Sequence, residues 1–191
     1  MTAMGNLPEV VSREEWLAAR RELLVKEKEL TRARDRLNAD RRRLPMVRVD
    51  KQYTFEGPDG TVGLLDLFGG RPQLVMHHFM FGPDWDQGCP SCSSAADGIG
   101  RLRQLYVRNT TLVAVSRAPG ISAFLRVGEE VFHTYSTFGR GIEEFHNGYQ
   151  YLDLTALGRQ EEWEEPTGRA VPLGLQVGGP AMRLPDEYDT P

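Results

Sequence analysis

Apolar residues recur every seven positions in the first quarter of the chain and form one column on a helix. The column consists of Trp16, Leu23, Leu30, Leu37 and Leu44. Charged residues fill most of the positions between them. Ser12 and Glu15 have the spacing of a capping box, and Pro45 cannot continue a helix. The pattern therefore predicts one long helix from Ser12 to about Arg43.

The apolar stripe of this helix is narrow for a helix that is buried in a core. Leu17, Leu24 and Ala33 broaden it only in places. Such a stripe suits docking against one surface or a short coiled-coil seam. We expect the helix to lie against its own domain, and a homodimer through residues 16–44 is the alternative.

The pattern changes after Pro45 to short apolar runs that are separated by turns. Residues 73–81 are a nearly continuous apolar run, which is typical of a strand buried on both faces of a central sheet. A helix is predicted over residues 90–107, and residues 127–129 are the turn of a hairpin. The predicted strands cover residues 47–55, 61–68, 73–81, 110–116, 121–126, 130–136 and 149–154.

The order of these elements predicts the fold. A buried strand is followed by a helix whose start carries two cysteines, then by a second strand and a hairpin. This is the order of a thioredoxin-like half-fold. We therefore predict an α/β protein, a thioredoxin-like three-layer sandwich with a central mixed sheet, preceded by the long N-terminal helix. Residues 1–44 form the helical extension, residues 45–157 the thioredoxin-like domain, and residues 158–191 an irregular C-terminal tail.

Composition and charge give no reason to expect nucleic acid or an anionic membrane as a partner. The chain has 191 residues, of which 26% are charged, and its net charge is -4. A weakly acidic protein has no global attraction to nucleic acid or to an anionic membrane, so neither partner is expected. No apolar run approaches the roughly 20 residues that span a bilayer. Residues 1–9 lack the pattern of a secretory signal, and we expect a cytoplasmic protein.

The two cysteines of the chain form the motif Cys89-Pro90-Ser91-Cys92. At the first turn of a helix, positions i and i+3 lie on one face and can close a disulfide. Cys89 would lie at the helix N-terminus, where unpaired N–H groups and the helix dipole stabilise a thiolate. Pro90 fits the first helical position because its missing N–H costs nothing there. We therefore assign Cys89 as the attacking thiolate and Cys92 as the resolving thiol.

A zinc site is the other explanation of a CXXC motif. Zinc needs four ligands, and one motif supplies two of them, with no second motif nearby. We therefore expect neither a metal nor another cofactor. His77 and His78 precede the cysteines, but neighbours on a strand point to opposite faces, so at most one can face the motif. We include His78 among the supporting residues, as a proton shuttle if it faces the cysteines.

Several stretches closely resemble a bacterial family that is catalogued as a domain of unknown function and placed in the thioredoxin/peroxiredoxin-like superfamily. The stretches are LPMVRVDKQYTFEGPDG, QLVMHHFMFGPDWDQGCPSCS, LVAVSRAP, VFHTYSTFGRG and YLDLTALGRQEEW. The resemblance covers most of the chain from Trp16 to Trp163. It implies a thioredoxin-like fold and a dithiol–disulfide oxidoreductase activity.

The sequence departs from this family in its length between two motifs. The family carries a sizeable segment, including a crossover helix, where Pro119 and Gly120 are adjacent here. Five or six residues span up to roughly 20 Å, which is enough to cross one intervening strand. The loss of a covering helix would expose apolar surface. Either this chain has lost the segment, or the sequence omits it. We favour the second explanation, because the loss of a covering helix would be costly.

Two further departures concern the reaction. Aligned with a thioredoxin, Ser122 occupies the position of the cis-proline that faces the disulfide, and serine does not hold a cis bond cheaply. Aligned with a peroxiredoxin, Asp86 replaces the threonine that lies three residues before the reactive cysteine. An acidic neighbour disfavours the thiolate that attacks peroxide, and Arg117 would offset this effect if it faced the site.

The sequence therefore predicts a thiol–disulfide oxidoreductase that acts on a protein or low-molecular-weight thiol or disulfide. Cys89 attacks, and Cys92 resolves the mixed disulfide. A thiol peroxidase that uses the same thiolate is one alternative. A non-enzymatic thioredoxin-fold scaffold that dimerises through the N-terminal helix is another.

Overall fold

The first element of the computed structural model is the long helix α1, Arg13–Arg41. The structure describes residues 7–116, 120–176, 179 and 181–188. Ser12 caps α1: its hydroxyl accepts the Glu15 N–H at 3.3 Å, and its own N–H donates to the Glu15 carboxylate at 2.9 Å. The predicted helix and its capping box are confirmed, and the helix ends within two residues of the predicted position.

Helix α1 contains no buried residue. The exposed fractions along its apolar column are 50% for Trp16, 50% for Leu23, 68% for Leu30 and 49% for Leu37. The helix meets the rest of the chain near its C-terminal end. There the Arg41 guanidinium lies 5.3 Å from the centre of the Tyr135 ring, and Arg34 lies 3.7 Å from Glu144. The expectation that the column lies against its own domain is therefore wrong.

A five-stranded mixed sheet forms the centre of the fold, in the order β1-β7-β6-β4-β5. Strands β4 and β5 are parallel, and every other neighbouring pair is antiparallel. A separate hairpin is made by β2, Thr54–Gly57, and β3, Gly60–Gly63. The strands of the large sheet are β1 (Val47–Arg48), β4 (Gln73–Phe79), β5 (Thr110–Ser116), β6 (Gly120–Val127) and β7 (Glu130–Thr137). At this level the predicted α/β fold, a long N-terminal helix and a mixed sheet, is confirmed.

Two apolar runs and one hairpin pattern correctly predict four strands of the large sheet. The apolar run at residues 73–81 is β4, and residues 110–116 are β5. The predicted hairpin is β6–β7, and Gly128 at its turn has a φ of 61°, which favours glycine. Ser116 and Gly120 lie on opposite sides of β4, so one strand separates the end of β5 from the start of β6.

Four predicted elements are wrong in detail. The helix over residues 90–107 is two helices, α2 (Pro90–Asp97) and α3 (Arg103–Tyr106), because Gly98 and Gly100 weaken the helix between them. The strand over residues 149–154 is instead a short helix, α4 (Asn147–Leu152). Tyr149 and Tyr151 alternate as in a strand, but both lie in this helix, where the Tyr149 ring stacks on the His146 ring at 5.1 Å between ring centres. The strand over residues 47–55 divides into β1 and β2, and the strand over 61–68 ends at Gly63, before a 3₁₀ turn at Asp66–Phe68.

The two faces of β4 have different surroundings. Leu74 and Met76 are buried in the hydrophobic core, which includes Phe68; we call this side the core face. His77 and Phe79 point to the opposite side, where Gly88 lies against the Phe79 ring just before α2; we call this side the helix face. A Cβ on Gly88 would lie 2.5 Å from the Phe79 ring, so the close approach requires glycine.

The tail from residue 158 is irregular apart from a 3₁₀ turn at Pro185–Glu187, over the residues that the structure describes. Among these described residues, no helix is both long and apolar enough to cross a membrane.

Candidate functional site

The end of β4 is tied to both cysteines. Met80, the residue after β4, accepts the Cys89 N–H on its carbonyl at 3.0 Å. The Met80 N–H donates to the Cys92 sulfur at 3.5 Å. Cys89 is the N-cap of α2, with Pro90 at the first helical position as predicted, and its carbonyl accepts the Ser93 N–H at 2.9 Å. The sequence therefore brings the two thiols to one helix start at the carboxyl end of a central strand.

The two thiols have unequal environments. Both are free, Cys89 is partly exposed, and the exposed fraction of Cys92 is 4%. Burial raises the pKa of the Cys92 thiol, the Met80 N–H opposes this rise, and the nearby Cys89 adds to it. An exposed thiol at the helix start and a buried, protonated thiol one turn deeper suit the roles of nucleophile and resolving group.

Met182, in the C-terminal segment, contacts Ser91, which lies between Pro90 and Cys92. Ser91 is 7% exposed, and its hydroxyl donates to the Met182 sulfur at 3.0 Å. Sequence reasoning missed Met182, because 91 positions separate it from Ser91 and no local pattern connects the two.

The structure separates the two neighbouring histidines as strand geometry requires. His78 lies on the core face, where its Nε2 is 2.9 Å from the Ser122 hydroxyl. His77 lies on the helix face with Phe79, at 6.0 Å between ring centres, and is almost fully buried. Burial lowers the pKa of both imidazoles, and His78 lowers that of His77 further. His77, and not the predicted His78, therefore shares the face of the sheet that carries the approach to the cysteines.

Ser122 belongs to a chain of polar side chains on the core face. It is buried opposite Met76 in the interior of β6, and its hydroxyl lies 2.8 Å from that of Ser136. Ser136 in turn lies 2.7 Å from Nε2 of His133. Three hydrogen bonds need three hydrogens and the two hydroxyls supply two, so one imidazole donates from Nε2 and the other accepts. The structure thus gives Ser122 partners within this chain of hydrogen bonds, on the face opposite to that of His77.

A further buried histidine, His146, precedes Asn147 near the C-terminal end of α2, whereas the cysteines lie at the start of this helix. Asn147 donates to the Gly98 carbonyl at 2.8 Å and so holds this turn against the end of α2. His146 is 3% exposed, and neither ring nitrogen has a hydrogen-bond partner among the described residues. Burial lowers its pKa, as do His77 and Arg159, while Glu143 opposes them. No sequence pattern indicates a role for His146, since a histidine in a turn is common.

The remaining predicted residues do not join the site or lie outside the described part. Asp86 is exposed on the loop that precedes Cys89. Arg117 lies outside the described residues. Among the residues that the structure describes, no three His, Cys, Asp or Glu side chains are close enough together to hold a metal ion.

Comparison with known families gives one match. The family described as a bacterial protein of unknown function, DUF899, matches residues 5–121 and 118–188. The chain belongs to this family. The two matched stretches overlap at residues 118–121, which include Pro119 and Gly120. No curated protein and no solved structure matches the chain.

In this DUF899 member, the second matched stretch is anchored by one buried arginine. The Arg159 side chain is 11% exposed and donates two hydrogen bonds to the Asp153 carboxylate, at 2.6 and 2.7 Å. A third donation reaches Glu143 at 2.8 Å. The guanidinium also lies 4.6 Å from the centre of the Tyr149 ring. These carboxylates raise the pKa of Arg159, so it stays charged and ties the start of the tail to α4 and the preceding turn.

Proposed function

We propose that this chain is a thiol–disulfide oxidoreductase in which Cys89 attacks and Cys92 resolves. The observation that carries the proposal is the unequal environment of two free thiols at one helix start. Cys89 is the partly exposed N-cap of α2, and Cys92 is buried one turn deeper with a raised pKa. Attack requires an accessible thiol, whereas burial keeps the second thiol protonated until it is needed.

We further propose that the domain is thioredoxin-like. The order of elements that supports this is β4, the CXXC motif at the start of α2, then β5 and the hairpin β6–β7. The sheet order also supports it, because β4 is an inner strand, parallel to the edge strand β5 on one side and antiparallel to β6 on the other. The motif then lies at the carboxyl end of a central strand, which is where ligands and substrates bind in open α/β sheets.

The proposed reaction transfers two electrons. The Cys89 thiolate attacks one sulfur of a substrate disulfide, a mixed disulfide forms, and the other substrate sulfur leaves as a thiolate. The Cys92 thiol then loses its proton to solvent or to a leaving thiolate and attacks the Cys89 sulfur. The Cys89–Cys92 disulfide forms and the second substrate sulfur is released, so the substrate is reduced as the protein is oxidised.

A redox titration tests this proposal. In a series of glutathione buffers, we expect the full-length protein to convert between a dithiol and one intramolecular disulfide as a single two-electron couple. For such a couple a tenfold change in the equilibrium constant corresponds to about 30 mV. Alkylation followed by intact-mass measurement counts the free thiols at each point. If no reversible Cys89–Cys92 couple forms at any buffer ratio, the proposed function is wrong.

A specific observation favours a second function, self-association through α1. Its apolar column repeats every seven residues, is about half exposed or more, and extends along a 29-residue helix. A seven-residue repeat is matched by a second helix with the same repeat. The next longest described helix, α2, has only eight residues, so within the described part of the protein the matching surface is α1 of a second copy.

Sedimentation of full-length variants tests the self-association. We expect the wild-type protein to sediment as a dimer and the double variant Leu23→Glu/Leu30→Glu as a monomer, because charges in the seam cannot be desolvated. Val25→Glu is the matched control, since Val25 is 57% exposed on α1 but lies outside the column. A wild-type protein that sediments at the mass of one chain would exclude this proposal.

A further inference from the structure

Residues 181–188 lie against the CXXC motif and the helix α2 that it begins. The 3₁₀ turn Pro185–Glu187 packs against α2. Met182 reaches Ser91, which lies between the two cysteines, and accepts the Ser91 hydroxyl on its sulfur at 3.0 Å. Ser91 is buried, whereas Cys89, two residues earlier, is partly exposed. The chain thus places its own side chain on the middle of its motif.

This segment holds its shape through its own hydrogen bonds. The Arg183 N–H donates to the Tyr188 hydroxyl at 3.0 Å, and the Leu184 N–H donates to the Glu187 carboxylate at 3.0 Å. The Glu187 N–H returns to the Leu184 carbonyl at 3.0 Å. These hydrogen bonds lie within the segment and do not depend on its contact with the motif, whereas the Ala181 N–H ties its start to the Gly174 carbonyl at 3.2 Å.

The contact with the motif is of a kind that a substrate can replace. A thioether is a weak hydrogen-bond acceptor, and water competes well for the Ser91 hydroxyl. Methionine has three rotatable bonds and fills an irregular apolar surface without a fixed geometry. The position beside Ser91 is therefore one that a flexible apolar side chain already occupies.

We propose that residues 181–188 occupy the substrate-docking face of the CXXC motif in the resting protein. The natural substrate is then a protein segment that displaces them and places a flexible apolar side chain, such as Met or Leu, where Met182 lies. This proposal rests on the proposed function of Cys89 and Cys92. It names a polypeptide disulfide as the substrate class, in preference to a small charged disulfide such as that of glutathione.

The first test measures access to Cys89 and does not depend on redox activity. Reduced full-length protein is alkylated with iodoacetamide, which is small, and with a bulky polyethylene-glycol maleimide. Removal of the Met182 contact in Met182→Ala should raise the maleimide rate about five- to tenfold, a factor expected from losing part of the burial of one methionine. The iodoacetamide rate should change less than about twofold.

Two matched variants make this result specific. Met182→Leu keeps an apolar side chain of similar volume and should retain the wild-type maleimide rate. Arg183→Ala alters the exposed neighbour and should also leave it unchanged. Equal maleimide rates for wild type and Met182→Ala would overturn the proposal, as would an equal increase in Arg183→Ala.

The second test measures substrate class. The probes are glutathione disulfide and a synthetic peptide whose single cysteine is disulfide-linked to a chromophoric thiol, with a methionine two residues away. Met182→Ala should reduce the peptide disulfide about five- to tenfold faster than wild type and reduce glutathione disulfide at an unchanged rate. Equal effects on both probes would overturn the assigned substrate class. If the maleimide rates change as expected but no variant reduces either probe, the proposed function fails and the occupied face remains.

Discussion

The variant Cys92→Ser is expected to hold a substrate thiol on Cys89 as a stable mixed disulfide, whereas Cys89→Ser is expected to hold none. The sulfur of the partly exposed Cys89 forms the bond to the substrate, and the sulfur of the buried Cys92 is the group that releases it. Removing the resolving thiol therefore stops the reaction at its intermediate. Intact-mass measurement after incubation with glutathione disulfide detects the added glutathionyl group, and reduction with dithiothreitol removes it.

Turnover with a disulfide substrate separates the two roles further. In Cys89→Ser the rate should fall by about 100-fold or more, because the remaining thiol, Cys92, is 4% exposed and burial raises its pKa. Far-ultraviolet circular dichroism serves as the control for folding of each variant. A mixed disulfide that forms equally well in Cys89→Ser would contradict the assignment of the nucleophile. Rapid peroxide consumption that requires Cys89 and tolerates Cys92→Ser would favour a peroxidase instead.

The largest expected loss of stability follows the substitution Arg159→Ala. The substitution leaves two carboxylates, of Asp153 and Glu143, without the guanidinium that accounts for three of their hydrogen bonds. The Glu143 side chain is 12% exposed, so water cannot fully replace the lost partner. The Asp153 side chain is 44% exposed, so the expected loss is about 2 kcal/mol, between the roughly 1 kcal/mol of an exposed ion pair and the roughly 3 kcal/mol of a buried one. Urea unfolding followed by tryptophan fluorescence measures this decrease in the free energy of unfolding.

Arg140 supplies the matched control for this prediction. It also pairs with Glu143, at 3.1 Å, but its side chain is 63% exposed. An exposed ion pair contributes about 0 to 1 kcal/mol, so Arg140→Ala should lower the unfolding free energy by no more than about 1 kcal/mol. If the two variants lose the same stability, the energy does not come from the buried pair at Arg159.

Local signals explain why much of the fold could be predicted from the sequence. The apolar run before the cysteines is β4, because a strand buried on both faces needs apolar residues at nearly every position. The position of Cys89 as an N-cap followed from Pro90, whose missing N–H suits the first helical position. These features depend on residues that are close together in the chain.

Apart from the four local elements described above, the wrong predictions concern contacts between distant residues. Whether the column of α1 is covered depends on the rest of the chain, and a seven-residue spacing does not carry that information. The partner of Ser91 is Met182, and the partner of Ser122 is His78, which lies on a neighbouring strand. The order of strands and the path of the tail decide these pairs, so neither could be derived from spacing.

The exposure of α1 has a consequence for how the chain unfolds. The accessible surface of the chain is 14155 Å², whereas a compact monomer of 21.5 kDa exposes about 9200 Å². Helix α1 adds to this excess because it buries no residue of its own. In a single chain the stability of this helix rests on the capping box, its backbone hydrogen bonds and a few charged contacts, with little contribution from the core. In a single chain it is therefore a separate cooperative unit, whose amide hydrogens exchange with solvent long before those of β4.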